Sequence, residues 1–298
     1  MHRQGMETRI ENHTSEHAIV DWDQQTVAVI TGGGSGMGLE TARRLGKKHI
    51  LVLCGRSVAK LEQAVSELTA LGMTVYPFAC DVSNRQSVEE LARFAARLGT
   101  VQAVVHAAGM SPNMGTAQAI MEANALGTIH MNNAFVDVIA EGGCMLDVSS
   151  MSAYITPAII MPTWIYKESV NDPERFMKRI MKWVGLFPKK VQNGVAYGIS
   201  KHFVIWFAKQ DAARYGRRGA RVLSVSPGNF DTPMGNLEKE EADADTKHCA
   251  IKRFGQVSEV ASLFEYCVSK EAGYLTGTDI LCDGGLVASG ISPFKKVG

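Results

Sequence analysis

The sequence lacks the features that would indicate a membrane, a nucleic acid or an export route. No apolar run approaches the ~20 residues that a transmembrane helix requires. The 31 Lys and Arg residues nearly balance the 30 Asp and Glu residues, so the formal net charge is +1 and favours neither nucleic acid nor an anionic membrane as a partner. The polar N-terminal stretch has no apolar signal-peptide core. We therefore expect residues 1–21 to be a disordered or arm-like tail and the protein to be cytoplasmic.

Cysteine and histidine are present, but not in the spacings that bind metals or build disulfide frameworks. No C-x-x-C pair occurs among the six cysteines, which are Cys54, Cys80, Cys144, Cys249, Cys267 and Cys282. Several lie in strand-like apolar runs, so we expect small buried hydrophobic residues. The eight histidines form no H-E-x-x-H or similar ligand set, and we predict no metal site.

Short β-branched runs alternate with longer helical stretches along most of the 298 residues. Seven strands are predicted, at VAVI, ILVLC, TVYPFAC, VQAVVHAAG, CMLDVSS, ARVLSVSPG and TDILCDGG. Helical stretches of about 10–15 residues between strands indicate βαβ units and a parallel sheet with helices on both faces. With right-handed crossovers, this pattern predicts an α/β fold: one doubly wound Rossmann-type domain over residues 22–298, with a seven-stranded parallel sheet.

A glycine-rich turn, TGGGSGMG, follows the first strand and opens the first helix. Glycines let the backbone approach a pyrophosphate, whose charge the amides at a helix N-terminus can hold. A flexible turn without a ligand is the alternative, but the position after the first strand of a βαβ series favours phosphate binding. The predicted cofactor-binding residues of this turn are Gly32, Ser35, Gly36, Met37 and Gly38.

The second strand ends in CGRS, where an NAD site would carry an Asp or Glu for the ribose 2′-hydroxyl. Arg56 stands there and could pair with a 2′-phosphate through its forked donors, so NADP(H) is favoured over NAD(H). In the alternative, Arg56 points to solvent and the protein accepts both cofactors. Asp81 and Val82 could hold the adenine. Ala108 and Gly109 would let the cofactor lie close to the backbone.

Tyr197 and Lys201 stand four residues apart in YGISK. This interval is close to one helical turn, so both side chains should lie on one face of a helix. A nearby ammonium ion favours the phenolate, and a Tyr tuned in this way can pass a proton to or from an alcohol oxygen near neutral pH. The alternative is a half-buried Tyr on an amphipathic helix beside a solvated Lys.

These pieces occur in the order of the classical short-chain dehydrogenases/reductases, and the chain resembles that family from about Val27 to Gly285. The matching elements, in chain order, are TGGGSGMG, DV, AAG, NALG, SS, YGISK, PG with Thr232, and LTGTDILCDGG. Each element is common by itself. Their occurrence together, in the chain order of the family, makes a chance match improbable.

The resemblance implies a role for each matching residue. Tyr197 would be the catalytic acid/base, while Lys201 would make its phenol easier to ionise and hold the nicotinamide ribose. Ser150 would donate a hydrogen bond to the substrate carbonyl oxygen, and Asn124 would support a water chain that delivers protons to Lys201. Hydride would pass between C4 of the nicotinamide and the carbonyl carbon. The residues bordering the nicotinamide would be Pro227, Gly228 and Thr232. The Tyr–Lys interval argues against the enoyl-reductase branch, which uses a longer one.

Two departures from the family pattern carry information. His106 stands where the family usually has Asn, and we expect it to be a structural substitute rather than a catalyst. Ser150 and Tyr197 lie 47 positions apart, an interval much longer than usual, while the segment after the fourth strand is short. This combination resembles the bacterial 3α-hydroxysteroid dehydrogenase/carbonyl reductase branch. The long interval leaves Ser149 and Ser152 as alternatives to Ser150.

The extra residues form a predicted helical insertion at about residues 155–193. Asp172 suits the N-cap and Pro173 the first position of a helix, which Gly185 would weaken. Its apolar face could pack on its own domain, wall the substrate site or form a subunit interface, with a membrane surface the least favoured. The polar stretch after Thr232 predicts a loop, either a mobile lid or a plain surface loop.

The sequence therefore predicts an NADP(H)-dependent oxidoreductase that interconverts a carbonyl and a secondary alcohol on a small molecule. Steroid-like and cyclic or aromatic ketones are candidate substrates, and we expect a homodimer or homotetramer. The alternative from another class is a non-catalytic nucleotide-binding sensor or scaffold, which would be expected to lack part of the Ser/Tyr/Lys set. An epimerase or dehydratase of the extended branch would carry a TGxxGxxG turn, unlike the TGxxxGxG seen here.

Overall fold

The computed structural model of the chain describes residues 25–290, so the predicted tail at residues 1–21 lies outside the described part. Seven strands form one sheet in the order β3-β2-β1-β4-β5-β6-β7, and every neighbouring pair is parallel. The strands are β1 (Thr26–Thr31), β2 (Ile50–Gly55), β3 (Val75–Ala79), β4 (Thr100–His106), β5 (Ile139–Val148), β6 (Arg221–Pro227) and β7 (Asp279–Cys282). This order confirms the predicted doubly wound Rossmann-type sheet.

Helices connect the strands and cover both faces of the sheet. Within the described range they are α1 (Gly36–Leu45), α2 (Val58–Ala70), α3 (Arg85–Leu98), α4 (Ala117–Met121), α5 (Gly127–Phe135), α6 (Ser152–Ile155), α7 (Thr163–Tyr166), α8 (Pro173–Val184), α9 (Lys189–Gly216), α10 (Lys239–Thr246) and α11 (Val257–Val268). A single π-helical turn, Glu122–Leu126, joins α4 to α5.

Alternation along each central strand divides the apolar residues between two cores. Val27 and Val29 of β1 face a core built with α3, α5 and α9, whereas Ala28 and Ile30 face a core built with α1, α2 and α11. All four side chains are fully buried because a parallel sheet carries helices on both faces. The carboxyl ends of the strands therefore meet at one edge, and the turns after them are free to form a site.

The segment between β5 and α9 contains α7 and α8, which pack on the rest of the domain. Asp172 Oδ1 accepts the Arg175 N–H at 2.9 Å and caps the start of α8. The buried face of α8 joins a third core with α4 and α9. In that core Phe176 stacks on Phe203 of α9, with ring centroids 4.7 Å apart. The insertion thus braces the helix that carries Tyr197 and Lys201.

The polar segment after β6 is not a loop throughout, so that expectation was wrong. A 3₁₀ turn spans Gly235–Glu238 and α10 follows it. Ala242 of α10 is buried, and its carbonyl oxygen accepts a hydrogen bond from Thr246 Oγ1 at 2.7 Å. Ala242 is the one buried residue among the described side chains of α10, and one apolar position in an acidic run is too weak a signal to predict a short helix.

The cysteines behave as small apolar residues. Five of the six are buried, as predicted, and all six are free thiols. No helix within residues 25–290 combines the length and the apolar character that crossing a bilayer requires.

Candidate active site

A cavity of about 580 Å³ opens at the carboxyl edge of the sheet. Turns that follow β1 to β6 line it. The chain builds β2 and β3 on one side of β1 and then crosses to build β4, β5 and β6 on the other. The cavity therefore lies at the topological switch point, where open α/β sheets bind their ligands.

The glycine turn after β1 has a backbone shape that glycine adopts readily. Gly32 has φ +68° and Gly36 has φ +54°, both in the left-handed region. A Cβ at Gly38 would collide with the carbonyl oxygen of Gly32. The turn therefore presents bare backbone and the N-terminus of α1 to the cavity, a shape that fits a pyrophosphate. All the residues predicted here, Gly32, Ser35, Gly36, Met37 and Gly38, line the cavity.

Two basic side chains line the end of the cavity next to β2 and β3. Arg56 is exposed at the end of β2 and lines the cavity with Asp81 and Val82. Lys60 in α2 lines the same end, a residue that the sequence analysis missed. Lys60 lies in the first turn of α2, because Ser57 caps this helix and its hydroxyl oxygen accepts the Lys60 N–H at 3.5 Å. A basic residue in the first turn of the helix after CGRS is the signal that would have found it.

Tyr197 and Lys201 lie together on the cavity side of α9. Both line the cavity, and Lys201 Nζ is 5.9 Å from the centre of the Tyr197 ring. Lys201 is only 7% exposed, and its Nζ donates to the Val148 carbonyl oxygen at 2.9 Å. Burial lowers the Lys201 pKa to about 8, although the neighbouring Asp147 carboxyl opposes this shift. The arrangement fixes an ammonium group beside the phenol.

The serines after β5 differ in what they bind. Ser149 is buried, and its Oγ donates to the Lys201 backbone carbonyl at 2.7 Å, so it ties α9 to β5. Ser150 Oγ donates to Ser152 Oγ and accepts the Ser152 N–H, each at 3.2 Å. All three line the cavity. Because Ser149 is committed to the backbone of α9, the geometry favours Ser150 over Ser149 for contact with a substrate.

Asn124 lies behind the cavity wall, not among the residues that line it. In the π-helical turn, its Oδ1 accepts the Met110 N–H at 2.8 Å. Its Nδ2 donates to the Met110 carbonyl at 3.0 Å and to Ser200 Oγ at 3.1 Å. A Cβ at Gly109 would stand 3.0 Å from Asn124 Oδ1 and 3.4 Å from Lys201 Nζ. Asn124 therefore braces the turn after β4 against α9, and its predicted part in a proton chain stays a prediction.

The remaining predicted residues complete the lining between β4 and β6. They are Ala108, Gly109, Pro227, Gly228 and Thr232. Thr232 Oγ1 accepts the Gly235 N–H at 2.9 Å, which shapes the start of the segment after β6. A Cβ at Gly228 would lie 2.6 Å from the Asp283 Cα, so glycine is needed where the C-terminal segment passes.

His106 is buried in the sheet and does not line the cavity. Its Nδ1 lies 2.8 Å from Thr31 Oγ1, which also accepts the Ala108 N–H at 3.0 Å. The Thr31 hydroxyl is thus free to donate its own hydrogen to a neutral imidazole. Burial, with the charge of Lys201, lowers the His106 pKa to about 3. The ring is neutral at physiological pH and links β4 to β1.

Asp147 is a buried carboxyl group that the sequence analysis did not single out. It pairs in register with His106 and is fully buried. Its two oxygens accept hydrogen bonds from Asn132 Nδ2, at 3.1 and 2.9 Å. The Asp147 pKa is raised to about 8, and burial is the main cause. The negative charge of Asp211 also raises this pKa, whereas the Asn132 hydrogen bond and the Lys201 charge oppose the rise. Asp147 is therefore mostly protonated at neutral pH.

The doubly wound sheet, the glycine turn and the Tyr197–Lys201 pair form the arrangement expected of a dinucleotide-binding oxidoreductase. The family model described as short chain dehydrogenase matches residues 26–162, and the one described as Enoyl-(Acyl carrier protein) reductase matches residues 188–287. Residues 163–187, which neither model matches, contain α7 and α8 of the insertion.

Whole-chain comparisons agree with these matches. The short-chain dehydrogenase/reductase bsc3 of Alternaria brassicicola is 33% identical over 270 residues, covering 89% of this chain and 96% of its own. The 7alpha-hydroxysteroid dehydrogenase of Bacteroides fragilis is 25% identical over 279 residues, covering 88% and 95%. A solved short chain dehydrogenase from Burkholderia cenocepacia, in complex with NADP, superposes with a TM-score of 0.68 at 23% identity, covering 87% and 96%. The chain belongs to the short-chain dehydrogenase/reductase family, whose members interconvert alcohol and carbonyl groups.

The buried Asp147 carboxyl makes the stability of the protein depend on pH. Its pKa rises from 3.8 to about 8 on folding, so between these values the folded state binds the extra proton and stability falls as pH rises. Asn at this position cannot ionise. We expect Asp147→Asn to raise the Tm at pH 8 relative to the wild type by at least about 2–4 °C, the shift for roughly 1 kcal/mol in a large domain.

The comparison is the difference in Tm between variant and wild type, measured at pH 5 and at pH 8 by thermal unfolding. The histidine pKa shifts affect the stability of both proteins equally, so their effect cancels in the difference. The lowered Lys201 pKa changes stability mainly above pH 8. The exposed Asp137→Asn serves as the control and should show no such difference. A Tm difference between Asp147→Asn and the wild type that is equal at both pH values would contradict the raised pKa of Asp147.

Proposed function

We propose that the protein is an NADP(H)-dependent oxidoreductase that interconverts a ketone and a secondary alcohol on a small molecule, with Tyr197 as the acid/base. One observation carries the proposal: a single cavity holds the glycine turn at one end and Tyr197, Lys201 and Ser150 at the other. The finer expectations of a homodimer or homotetramer and a cytoplasmic location accompany the proposal as predictions.

The residues that line the cavity fit a dinucleotide with a 2′-phosphate. The glycine turn would hold the pyrophosphate, because its backbone is bare and a helix N-terminus points at it. Arg56 and Lys60 would hold the 2′-phosphate, and Asp81 and Val82 the adenine. The NADP(H) nicotinamide supplies or accepts the hydride. The NADP complex of the Burkholderia cenocepacia relative supports this choice over NAD(H).

Tyr197 and Lys201 of α9, with Ser150 after β5, would supply the proton and stabilise the charge. In the direction of reduction, Tyr197 gives its hydroxyl proton to the carbonyl oxygen of the substrate. Ser150 donates a hydrogen bond to the same oxygen as negative charge develops there. Lys201 keeps a positive charge beside the phenol, held in place by the Val148 carbonyl at 2.9 Å. In the direction of oxidation, ionised Tyr197 would accept the hydroxyl proton of the alcohol, and Ser150 and Lys201 would keep the same contacts.

Asn124 has a second, indirect part in the proposal. It fixes the Met110 backbone and Ser200 relative to each other, and so sets the gap between the turn after β4 and α9. Proton delivery to Lys201 past this gap is the role that the family likeness implies. The non-catalytic sensor or scaffold is disfavoured, because the full Ser/Tyr/Lys set lines the same cavity as the phosphate-binding turn.

Removing the Tyr197 hydroxyl tests the acid/base assignment. We expect Tyr197→Phe to lower kcat for ketone reduction by about 10²-fold or more, since the proton donor is lost. NADPH affinity, measured by fluorescence titration, should stay within about twofold because the ring remains. Tyr266→Phe, at an exposed position outside the cavity, is the matched control. Wild-type activity in Tyr197→Phe would overturn the assignment.

Reversing the charge at Arg56 tests the cofactor assignment. Arg56→Asp should raise the KM for NADPH and help NADH, so that the NADPH/NADH ratio of kcat/KM falls by about tenfold or more, the value of one charge-assisted hydrogen bond. Arg93→Asp in α3, away from this cavity, supplies the same change of charge as a control. A ratio that does not move in Arg56→Asp would show that Arg56 does not meet the 2′-phosphate.

A further inference from the structure

We propose that the substrate end of the cavity accepts an uncharged ring ketone, and that four methionines, Met110, Met114, Met151 and Met234, determine this specificity. The inference rests on the proposed reductase function and adds the class of substrate. The four side chains, here called the methionine wall, all line the cavity.

The methionine wall is assembled from three separate segments. Met110 and Met114 follow β4, Met151 follows β5, and Met234 follows β6. Met110 and Met151 are each 7% exposed, whereas Met114 is 38% and Met234 is 36% exposed. The first two therefore form the inner part of the wall and the other two its rim. With Met37 of the glycine turn, five of the 14 methionines in the chain line this one cavity, which marks it as a concentrated surface.

Side-chain amides hold these segments around the mouth of the cavity. Asn193 lies one turn before Tyr197 on α9, and its Nδ2 donates to the carbonyl oxygens of Pro112 and Gly115 at 3.1 and 2.8 Å. The segment after β4 is thus fixed to the helix of the proposed acid/base. Asn113 Nδ2 donates to the Leu237 carbonyl at 3.3 Å, which joins the segment after β4 to the segment after β6. The segments after β4 and β6 are therefore tied to each other and to the helix of the proposed acid/base.

Among the side chains that the structure describes, none offers a free cation to an anionic substrate at this end. Among the described side chains, the cavity is lined by only three basic residues, Arg56, Lys60 and Lys201. The first two lie at the far end, after β2 and in α2. Lys201 is buried and bonded to the Val148 carbonyl. A carboxylate or phosphate on the substrate would meet the methionine wall without a partner, and an unpaired charge is costly to bury.

Methionine also favours rings over flexible chains. Its side chain is unbranched and polarisable, adapts to irregular apolar shapes, and makes favourable sulfur contacts with ring edges. Four such side chains from three segments can enclose a rigid ring while Tyr197 and Ser150 meet its carbonyl oxygen. The geometry therefore selects against a negative charge and for a rigid ring shape.

Three ketones of matched size test the inference, each assayed for kcat/KM with NADPH: tetralone, a tetralone carboxylic acid, and the acyclic decanone. For the wild type we expect tetralone to exceed its acid and decanone by about tenfold or more, in line with an unpaired buried charge. Met114→Arg and Met234→Arg, at half-exposed rim positions that tolerate a charge, should shift the ratio toward the acid by about tenfold. NADPH affinity should not change.

Met181→Arg in α8, outside this cavity, is the matched control and should leave the ratio unchanged. If the wild type reduces the acid or decanone as well as tetralone, the substrate class is wrong while the reductase function stands. If the two rim variants leave the ratio unmoved, the methionine wall does not determine specificity. If none of the three ketones is reduced although NADPH binds, the substrate class is wrong; if NADPH does not bind either, the proposed function itself fails.

Discussion

The site depends on one ammonium group buried beneath the cavity. Lys201 Nζ is held at 2.9 Å by the Val148 carbonyl, beside the Tyr197 ring. This contact is possible only while α9 lies against the end of β5, and Ser149 fixes that approach by bonding the Lys201 carbonyl at 2.7 Å. A positive charge that is already in position needs no reorganisation when negative charge develops on a substrate oxygen. The same burial makes the charge expensive, so the surrounding residues must compensate for it.

Two parts of the molecule support that buried charge from different sides. The insertion packs Phe176 against Phe203 and stiffens α9, since aromatic stacking adds to the area that is buried. Beneath α9, burial keeps the Asp147 carboxyl mostly protonated at neutral pH, and it raises the Lys201 pKa only once it ionises at higher pH. Neutral His106 links β4 to β1 through Thr31 and adds no competing charge. The sheet therefore provides a polar but nearly uncharged floor for the proposed acid/base.

Local signals made most of the fold and the cavity predictable. The glycine turn, the Asp172 cap and the doubly wound parallel sheet depend on neighbouring residues or on general topology, and the structure contains each of them. Contacts between distant segments were not predictable. Asn124 lies behind the wall because it bonds the turn after β4, Lys60 joins Arg56 because the start of α2 turns toward the cavity, and Asp147 is buried because β5 pairs with β4. In each case the residue type is visible in the sequence, but its contacts with distant segments are not.

Deuterium transfer tests the central claim most directly. The protein would be given NADPH deuterated at the transferable position of C4 together with tetralone, and the product alcohol would be analysed by mass spectrometry. The account predicts that the deuterium is found on the carbon that bears the new hydroxyl, while the hydroxyl proton comes from solvent. NADPH consumption that yields an alcohol without deuterium would contradict direct hydride transfer in this cavity.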